Sequence, residues 1–232
     1  MKRRSCVYAE QDYGATDAPV MVLLHGYGAN SSWWQANLAS LSCSHHVYVL
    51  DIRYTSALEH MVADLVDWIV NNKGWQRPLT LMGHSLGARL CLQLAIQIPH
   101  LVERLVLVNP AVGLPEVPVW AWIWRCYQAR MVSKHPEDIK KLFHSVGPVS
   151  SWKWVLRGLR TPMPNTLIHI PTLIFWGERD PLFPPRYSAR LHSCLTQGTI
   201  LQIAAGHCIM RDHPELFYQA VSAFLLSSPV HS

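Results

Sequence analysis

Three side chains of the types that perform nucleophilic catalysis occur along this chain in the order Ser85, Asp180 and His207. A serine hydroxyl is a poor nucleophile at neutral pH, so it needs a base that takes its proton, and the base needs an anion that orients it. Ser85 is the centre of the segment Gly83-His84-Ser85-Leu86-Gly87. The three residue types predict acyl transfer to a serine, provided that the fold brings them together.

The segments on either side of Ser85 predict a strand, a tight turn and a helix. An apolar run, Leu79–Met82, precedes the turn, and apolar residues recur every four positions from Leu86 to Ile98. This context is the one that a nucleophile elbow requires, because glycine two positions away on each side leaves no side chain to clash. The serine hydroxyl then lies at a helix N-terminus, where a developing anion is favoured. The alternative is an ordinary strand-to-helix turn with a buried serine.

Asp180 and His207 also follow predicted strands. Asp180 comes after the apolar run Thr172–Trp176, and His207 comes after Thr199–Ile203. In an open α/β sheet the reactive groups collect at the carboxyl ends of the strands, so we expect both residues near Ser85. Glu178 is the rival acid, and Asp180 could instead serve only as a turn residue, because Asp-Pro often opens turns.

A loop with two glycines beside a histidine follows another apolar run, Val20–Leu24. The loop reads His25-Gly26-Tyr27-Gly28, and its backbone can come close to a ligand. We expect His25 to shape this loop by hydrogen bonding and His84 only to pack. Cys208 is expected to be a small buried hydrophobe, and Asp51 is assigned no chemistry.

Strand and helix patterns alternate along most of the chain, which predicts a mostly parallel sheet with helices on both faces. An edge strand is expected within residues 6–18, and a final amphipathic helix within Pro214–Leu226. The other predicted strands are Val20–Leu24, Val47–Leu50, Leu79–Met82, Arg104–Val108, Thr172–Trp176 and Thr199–Ile203, and the other predicted helices begin near Trp33, Ala57, Leu86 and Pro185.

The alternation breaks at Gly113, and a helical insertion of roughly 50 residues follows. Residues 119–131 place Trp120, Trp124, Tyr127 and Met131 on one helical face, and we expect the tryptophans of this insertion to form its core first. The predicted organisation is a first part of the core in residues 1–112, a helical cap in 113–165 and a second part of the core in 166–232.

The net charge of +5 is concentrated in the predicted cap. Residues 120–160 have a balance of +6, whereas the rest of the chain has a balance of −1. Such a basic segment has two interpretations: a solvated face that aids solubility, or a surface that docks an anionic partner or substrate. They are Arg125, Arg130, Lys134, Lys140, Lys141, Lys153, Arg157 and Arg160.

Composition excludes several other classes of protein. Half of the 232 residues are hydrophobic and 15% are charged, so a large core is expected rather than disorder. The six cysteines form no Cys-x-x-Cys pair and no cluster with zinc-ligand spacing, which favours reduced thiols and a cytoplasmic protein without a metal. Lys2, Arg3 and Arg4 are followed by no apolar stretch, and no run approaches the length of a membrane span.

The four motifs together resemble the α/β-hydrolase superfamily over nearly the whole chain. They are His25-Gly26-Tyr27-Gly28, Gly83–Gly87, Gly177–Pro181 and Gly206-His207. The resemblance implies Ser85 as nucleophile, His207 as base and Asp180 as the acid, without any cofactor. It also implies an oxyanion hole made by the backbone N–H groups of Tyr27 and Leu86. A serine in the elbow argues against the dehalogenase and epoxide-hydrolase members, which use an aspartate there.

Within that superfamily the chain is most similar to the pimeloyl-acyl-carrier-protein methyl ester esterases of biotin synthesis and to carboxylesterases. The similarity lies in the small cap and in the ending from Ala205 to Glu215. It implies a monomeric carboxylesterase with Tyr27, Trp124 and Phe143 in its substrate pocket and an acidic carrier protein docked on the basic cap, but no nucleic acid. General short-chain esterase, thioesterase and lactonase activities remain alternatives, as does a non-catalytic scaffold that only binds a ligand or partner.

Overall fold

The strands of this protein form one sheet, whose carboxyl edge carries the residues singled out above. The computed structural model describes residues 5–112, 118–132, 157 and 166–227. Within these ranges the sheet has seven strands in the order β1-β3-β2-β4-β5-β6-β7. The strands are β1 (Val7–Tyr13), β2 (Val20–Leu24), β3 (His46–Ile52), β4 (Leu79–His84), β5 (Val102–Val108), β6 (Thr172–Gly177) and β7 (Gly198–Ile203).

Six of the strands run parallel, and only β1 is antiparallel to its neighbour, β3. β1 lies at the edge of the sheet and is largely exposed, whereas all residues of β2 and β4 are buried. Strands that are covered on both faces read as continuous apolar runs, which is why their sequences predicted them. The mostly parallel sheet that the alternating pattern predicted is therefore confirmed.

Alternate side chains of the central strands enter two separate hydrophobic cores, one on each face of the sheet. Val22 and Leu24 of β2 lie in one core, whereas Met21 and Leu23 of the same strand lie in the other. This division follows from the pleat, which sends successive side chains to opposite faces. Each face is then closed by helices that bury an apolar stripe against it.

The helices of the described residues are α1 (Gln35–Leu41), α2 (Leu58–Asp67), α3 (Leu86–Gln97), α4 (Val119–Val132), α5 (Ser188–His192), α6 (Ile209–Asp212) and α7 (Pro214–Leu226). Residues of α2, α3 and α5 belong to the core on one face of the sheet, and residues of α1, α6 and α7 belong to the core on the other face. α7 has the predicted bounds. The helix predicted to begin near Ala57 is α2, which is followed by a π-helical stretch, Trp68–Asn72.

α4 is the part of the predicted cap that the structure describes, together with Arg157. The prediction that the cap tryptophans are buried is wrong for Trp120 and Trp124, which are 71% and 56% exposed. Trp124 stacks on Tyr127 with their ring centroids 5.6 Å apart, so the two aromatic rings shield each other partly from water. Most of the predicted cap, residues 113–165, lies outside the described residues.

No helix among the described residues is long and apolar enough to cross a membrane. The five cysteines whose side chains the structure describes are free thiols.

A buried arginine at the end of the sheet away from the candidate site binds the C-terminus of a helix. Arg104, near the start of β5, is 6% exposed. Its guanidinium donates to the carbonyl of Phe224 at 2.9 Å and to the carbonyl of Ser227 at 2.7 Å. The last carbonyls of a helix lack intrahelical donors, so Arg104 caps the C-terminus of α7, where a positive charge is also favoured by the helix dipole.

Replacement of this cap should destabilise the protein without touching the candidate site. We expect Arg104→Met to lower the free energy of unfolding by about 2 kcal/mol, because two charge-assisted, partly buried hydrogen bonds are lost. Urea denaturation followed by circular dichroism measures the change. Arg190→Met, at an exposed position of α5, is the matched control and should change the free energy by less than about 0.5 kcal/mol. Equal effects of the two substitutions would contradict the capping role.

Candidate active site

Ser85, Asp180 and His207 each follow a strand at the carboxyl edge of the sheet. Ser85 comes directly after β4, Asp180 lies three residues after β6, and His207 lies four residues after β7. β4, β5, β6 and β7 are consecutive in the sheet and parallel, so their carboxyl ends share one edge. The loops that carry the three predicted catalytic residues therefore converge.

Ser85 has the strained backbone that an elbow requires. Its φ of 53° and ψ of −117° lie in a region that residues other than glycine rarely adopt. Its N–H donates to the carbonyl of Val108 at 2.9 Å, and its own carbonyl accepts from Ala111 at 3.1 Å. These bonds tie the turn to the end of β5, so the surrounding structure holds the strained conformation.

The two elbow glycines are required by close backbone packing. A Cβ atom on Gly83 would lie 2.5 Å from the backbone nitrogen of Ala88, and one on Gly87 would collide with the carbonyl oxygens of Leu24 and His25. These neighbours are backbone atoms rather than flexible side chains, so they cannot shift to accommodate a Cβ atom. The spacing of the motif therefore follows from how tightly α3 packs back against β2 and β4.

His207 is bound to Asp180 and not to Glu178. The Nδ1 atom of His207 lies 2.7 Å from Oδ2 of Asp180, whose side chain is fully buried. Oδ1 of the same carboxylate accepts from the backbone N–H groups of Leu182 and Phe183 at 2.8 and 3.2 Å. A carboxylate that accepts three hydrogen bonds is held in one orientation. Glu178 is exposed, which fits the sequence-based choice of Asp180.

The imidazole of His207 is itself 7% exposed and packs between other rings. Its centroid lies 4.6 Å from that of His84 and 5.7 Å from that of Phe183. Because Nδ1 faces the carboxylate, Nε2 is the ring nitrogen that remains for a serine hydroxyl.

His84 supports the histidine loop from the neighbouring strand. Its Nε2 atom lies 2.9 Å from the carbonyl oxygen of His207, so Nε2 carries the proton that is donated. Complete burial, reinforced by the nearby His207, holds the pKa of His84 well below its usual value, and the ring is therefore neutral at physiological pH. Its ring also packs against Trp33, at 5.6 Å between centroids. The predicted packing role is present, with a hydrogen bond in addition.

His25 holds the loop His25–Gly28 by hydrogen bonds, which is the role that the sequence predicted for it. Nδ1 of His25 donates to the carbonyl of Gly26 at 2.7 Å, and Nε2 accepts from the N–H of Ile52 at 2.9 Å. Burial lowers the pKa of His25, which favours this neutral form. The hydroxyl of Tyr54 donates to the carbonyl of His25 and fixes the loop from the other side.

This loop lies directly against the elbow. A Cβ atom on Gly26 would be 3.0 Å from the Cβ atom of Ser85 and 3.0 Å from Nδ1 of His84. Tyr27 is the next residue, and Leu86 is the first residue of α3, where N–H groups lack intrahelical acceptors. The two predicted oxyanion-hole donors therefore belong to the two chain segments that flank Ser85, and their role stays a prediction.

The predicted substrate pocket is described only in part. Tyr27 is half-buried and packs edge-on against Tyr54, with 5.9 Å between ring centroids. Trp124 lies on α4, and Phe143 lies outside the described residues. Of the predicted docking cations, Arg125 is half-buried and Arg157 is exposed; Arg130 lies in α4 without a described side chain, and Lys134, Lys140, Lys141, Lys153 and Arg160 lie outside the described residues.

Two polar residues that sequence reasoning did not assign to the site hold its loops together. Asp51 accepts from the backbone N–H and the hydroxyl of Ser31 at 2.6 and 3.2 Å. Asn109 is completely buried at the end of β5 and bonds to the loops of both Asp180 and His207. The available signal for Asn109 was a polar residue directly after a buried apolar strand, at the edge where the site forms.

The described residues contain no group of three or more His, Cys, Asp or Glu side chains that could hold a metal ion. The chemistry that the arrangement supports needs only these protein groups: a strained serine, an imidazole oriented by a buried carboxylate, and backbone donors on either side of the serine.

Comparisons with known proteins identify the family and the fold of this chain. The sequence matches the alpha/beta hydrolase family over residues 21–220. Carboxylesterase YbfK from Bacillus subtilis is 25% identical over 91% of this chain and 82% of its own length. Epoxide hydrolase 3 from Mus musculus is 23% identical over 91% of this chain and 72% of its own length.

A solved structure supports the same fold. The crystal structure of the Bacillus subtilis carboxylesterase CesB (YbfK) superposes with a TM-score of 0.75 and 21% identity, covering 97% of this chain and 90% of that one. The predicted fold is confirmed, and the family and the carboxylesterase relative support the expected class of enzyme, a hydrolase of ester bonds. Since the family match spans well over half of the sequence, the chain belongs to the alpha/beta hydrolase family.

Proposed function

We propose that this protein is a serine carboxylesterase that works through an acyl-enzyme on Ser85. The observation that carries the proposal is the 2.7 Å hydrogen bond between His207 and the buried carboxylate of Asp180, in a loop that converges on the strained Ser85. Ser85 also favours ester hydrolysis over epoxide hydrolysis, because the epoxide-hydrolase members of the family use an aspartate at this position.

The mechanism follows from the arrangement of Ser85, His207 and Asp180. Ser85 Oγ attacks the ester carbonyl and passes its proton to Nε2 of His207, while Asp180 stabilises the imidazolium. The N–H groups of Leu86 and Tyr27 donate hydrogen bonds to the negatively charged carbonyl oxygen, and each such donor lowers the barrier by about 3 kcal/mol. His207 then protonates the leaving alcohol, and water activated by the same imidazole releases the acid and restores the Ser85 hydroxyl.

For the physiological substrate we propose the methyl ester of a pimeloyl chain carried by an acidic acyl carrier protein. The support is the charge balance of +6 in residues 120–160, against −1 elsewhere, together with the resemblance of the cap and of the C-terminal segment. An acidic carrier would be attracted to this segment from solution, which raises the encounter rate without changing the chemistry at Ser85.

Removal of the nucleophile tests the enzyme class. We expect Ser85→Ala to reduce hydrolysis of p-nitrophenyl acetate by on the order of 10⁶-fold, because no acyl-enzyme can form. Steady-state kinetics and labelling with a fluorophosphonate measure the loss. Ser44→Ala, at an exposed serine near the opposite edge of the sheet, is the control and should keep full activity and labelling. A folded wild type that hydrolyses no ester and takes up no label would favour the ligand-binding alternative.

The choice of acid is tested by a pair of amide substitutions. Asp180→Asn removes the charge that orients His207, and we expect kcat to fall by about 10⁴-fold. Glu178→Gln removes an exposed charge in the same loop and should leave kcat within about 2-fold. For both variants, the denaturant concentration at the midpoint of unfolding should lie close to that of the wild type. A large loss in Glu178→Gln with little change in Asp180→Asn would reverse the assignment.

The carrier-docking proposal predicts a salt effect that depends on the substrate. Raising salt from about 0.05 M to about 0.5 M should lower kcat/KM for the carrier-linked methyl ester by at least about 10-fold, since long-range attraction is screened, and should leave p-nitrophenyl acetate nearly unaffected. Lys140→Glu should weaken only the reaction of the carrier-linked ester. Arg77→Glu, an exposed charge reversal just before β4, is the control. Equal salt dependence for both substrates would refute charge-guided docking.

A further inference from the structure

Asn109 connects the loop of the acid with the loop of the histidine. The residue follows β5 and is completely buried. Its Oδ1 atom accepts from the N–H of Gly177 at 2.7 Å, and its Nδ2 atom donates to the carbonyls of Gly206 and His207 at 3.1 and 2.9 Å. Since one partner is a donor and the others are acceptors, only one orientation of the amide satisfies all three bonds.

These partners lie close to the reacting groups. Gly177 ends β6 and begins the turn that carries Asp180, and its N–H is held in place by Asn109. The carbonyl of His207 accepts from Nδ2 of Asn109 and also from Nε2 of His84, the residue before Ser85. The carbonyl of His207 is therefore held by side chains at the ends of β4 and β5. The amide of Asn109 also connects the loop of Asp180 with the loop of His207.

The backbone of Asn109 is adapted to this position. Its φ is 41°, in the left-handed region that asparagine tolerates better than most residues, and its N–H donates to the carbonyl of Phe175 at 2.9 Å. The left-handed turn takes the chain away from the sheet directly after β5 while the side chain stays between the loops. The conformation costs free energy, which the three buried side-chain hydrogen bonds offset.

We propose that Asn109 is a positioning residue, whose amide sets the distance and orientation between Asp180 and His207; this inference rests on the function proposed above. Aspartate at this position would keep an acceptor for Gly177 but would place a carboxylate beside two carbonyl oxygens, and only a carboxamide supplies both the acceptor and the donors. A misplacement of a catalytic group by about 1 Å can cost about 100-fold in rate, so the amide acts on catalysis without touching substrate.

The test compares Asn109→Gly with Arg104→Met. The second variant removes two partly buried hydrogen bonds to carbonyls at the other end of the same strand. Glycine adopts the positive φ without strain, so this variant isolates the loss of the amide. We expect Asn109→Gly to lower kcat for p-nitrophenyl acetate and the rate of fluorophosphonate labelling by about 10- to 100-fold, with KM within about 3-fold. Arg104→Met should keep wild-type values of both rates. Asn109→Asp, with an acceptor but no amide donor, should be as slow as Asn109→Gly.

Proton NMR supplies a readout that a purely structural role would not change. In the wild type the Nδ1 proton of His207, bound to Asp180, should give a resolved resonance downfield of the amides, which Asp180→Asn removes. We expect Asn109→Gly to weaken or abolish it and Arg104→Met to retain it. Unchanged kcat and an unchanged resonance in Asn109→Gly would overturn the proposal, and so would equal losses in Arg104→Met. A further outcome is that the wild type fails to react with the fluorophosphonate, although the Nδ1 resonance of His207 is present in it and absent in Asn109→Gly. In that case the esterase assignment fails and the positioning role of Asn109 stands.

Discussion

The strained turn at Ser85 brings together the backbone segments from which the candidate site is built. A serine with φ of 53° persists because hydrogen bonds to Val108 and Ala111 hold the turn in place. α3 packs against β2 and β4 so closely that Gly83 and Gly87 can carry no side chain. The backbone at Gly26 lies directly against Ser85, so the predicted oxyanion loop is packed on the same turn.

Neutral buried side chains, in addition to the carboxylate of Asp51, connect the remaining parts of the site. His25 and His84 are both held uncharged by burial, and each uses its ring as a specific donor or acceptor to backbone. Asn109 does the same with an amide. A network of neutral hydrogen bonds avoids the desolvation cost of buried ions and leaves Asp180 as the principal charge beside His207.

The sequence predicted most of the fold because the relevant signals are local. The apolar runs of β2, β4, β5 and β6 reflect burial on both faces, and the order of Ser85, Asp180 and His207 reflects the order of strands at one edge. The role of Asn109 could not be read in this way, because its partners lie 68 and 97 positions away in the chain. The exposure of Trp120 and Trp124 was also missed, since helical periodicity places side chains on one face without indicating what that face contacts.

Mass spectrometry of the protein, quenched in acid during turnover of a p-nitrophenyl ester, tests most directly whether Ser85 is the nucleophile. If it is, we expect an added acyl group on the peptide that contains Ser85, formed and lost at rates that match kcat. Hydrolysis at an undiminished rate with the acyl group on another residue, or with no acyl-protein at any time, would contradict a nucleophilic Ser85.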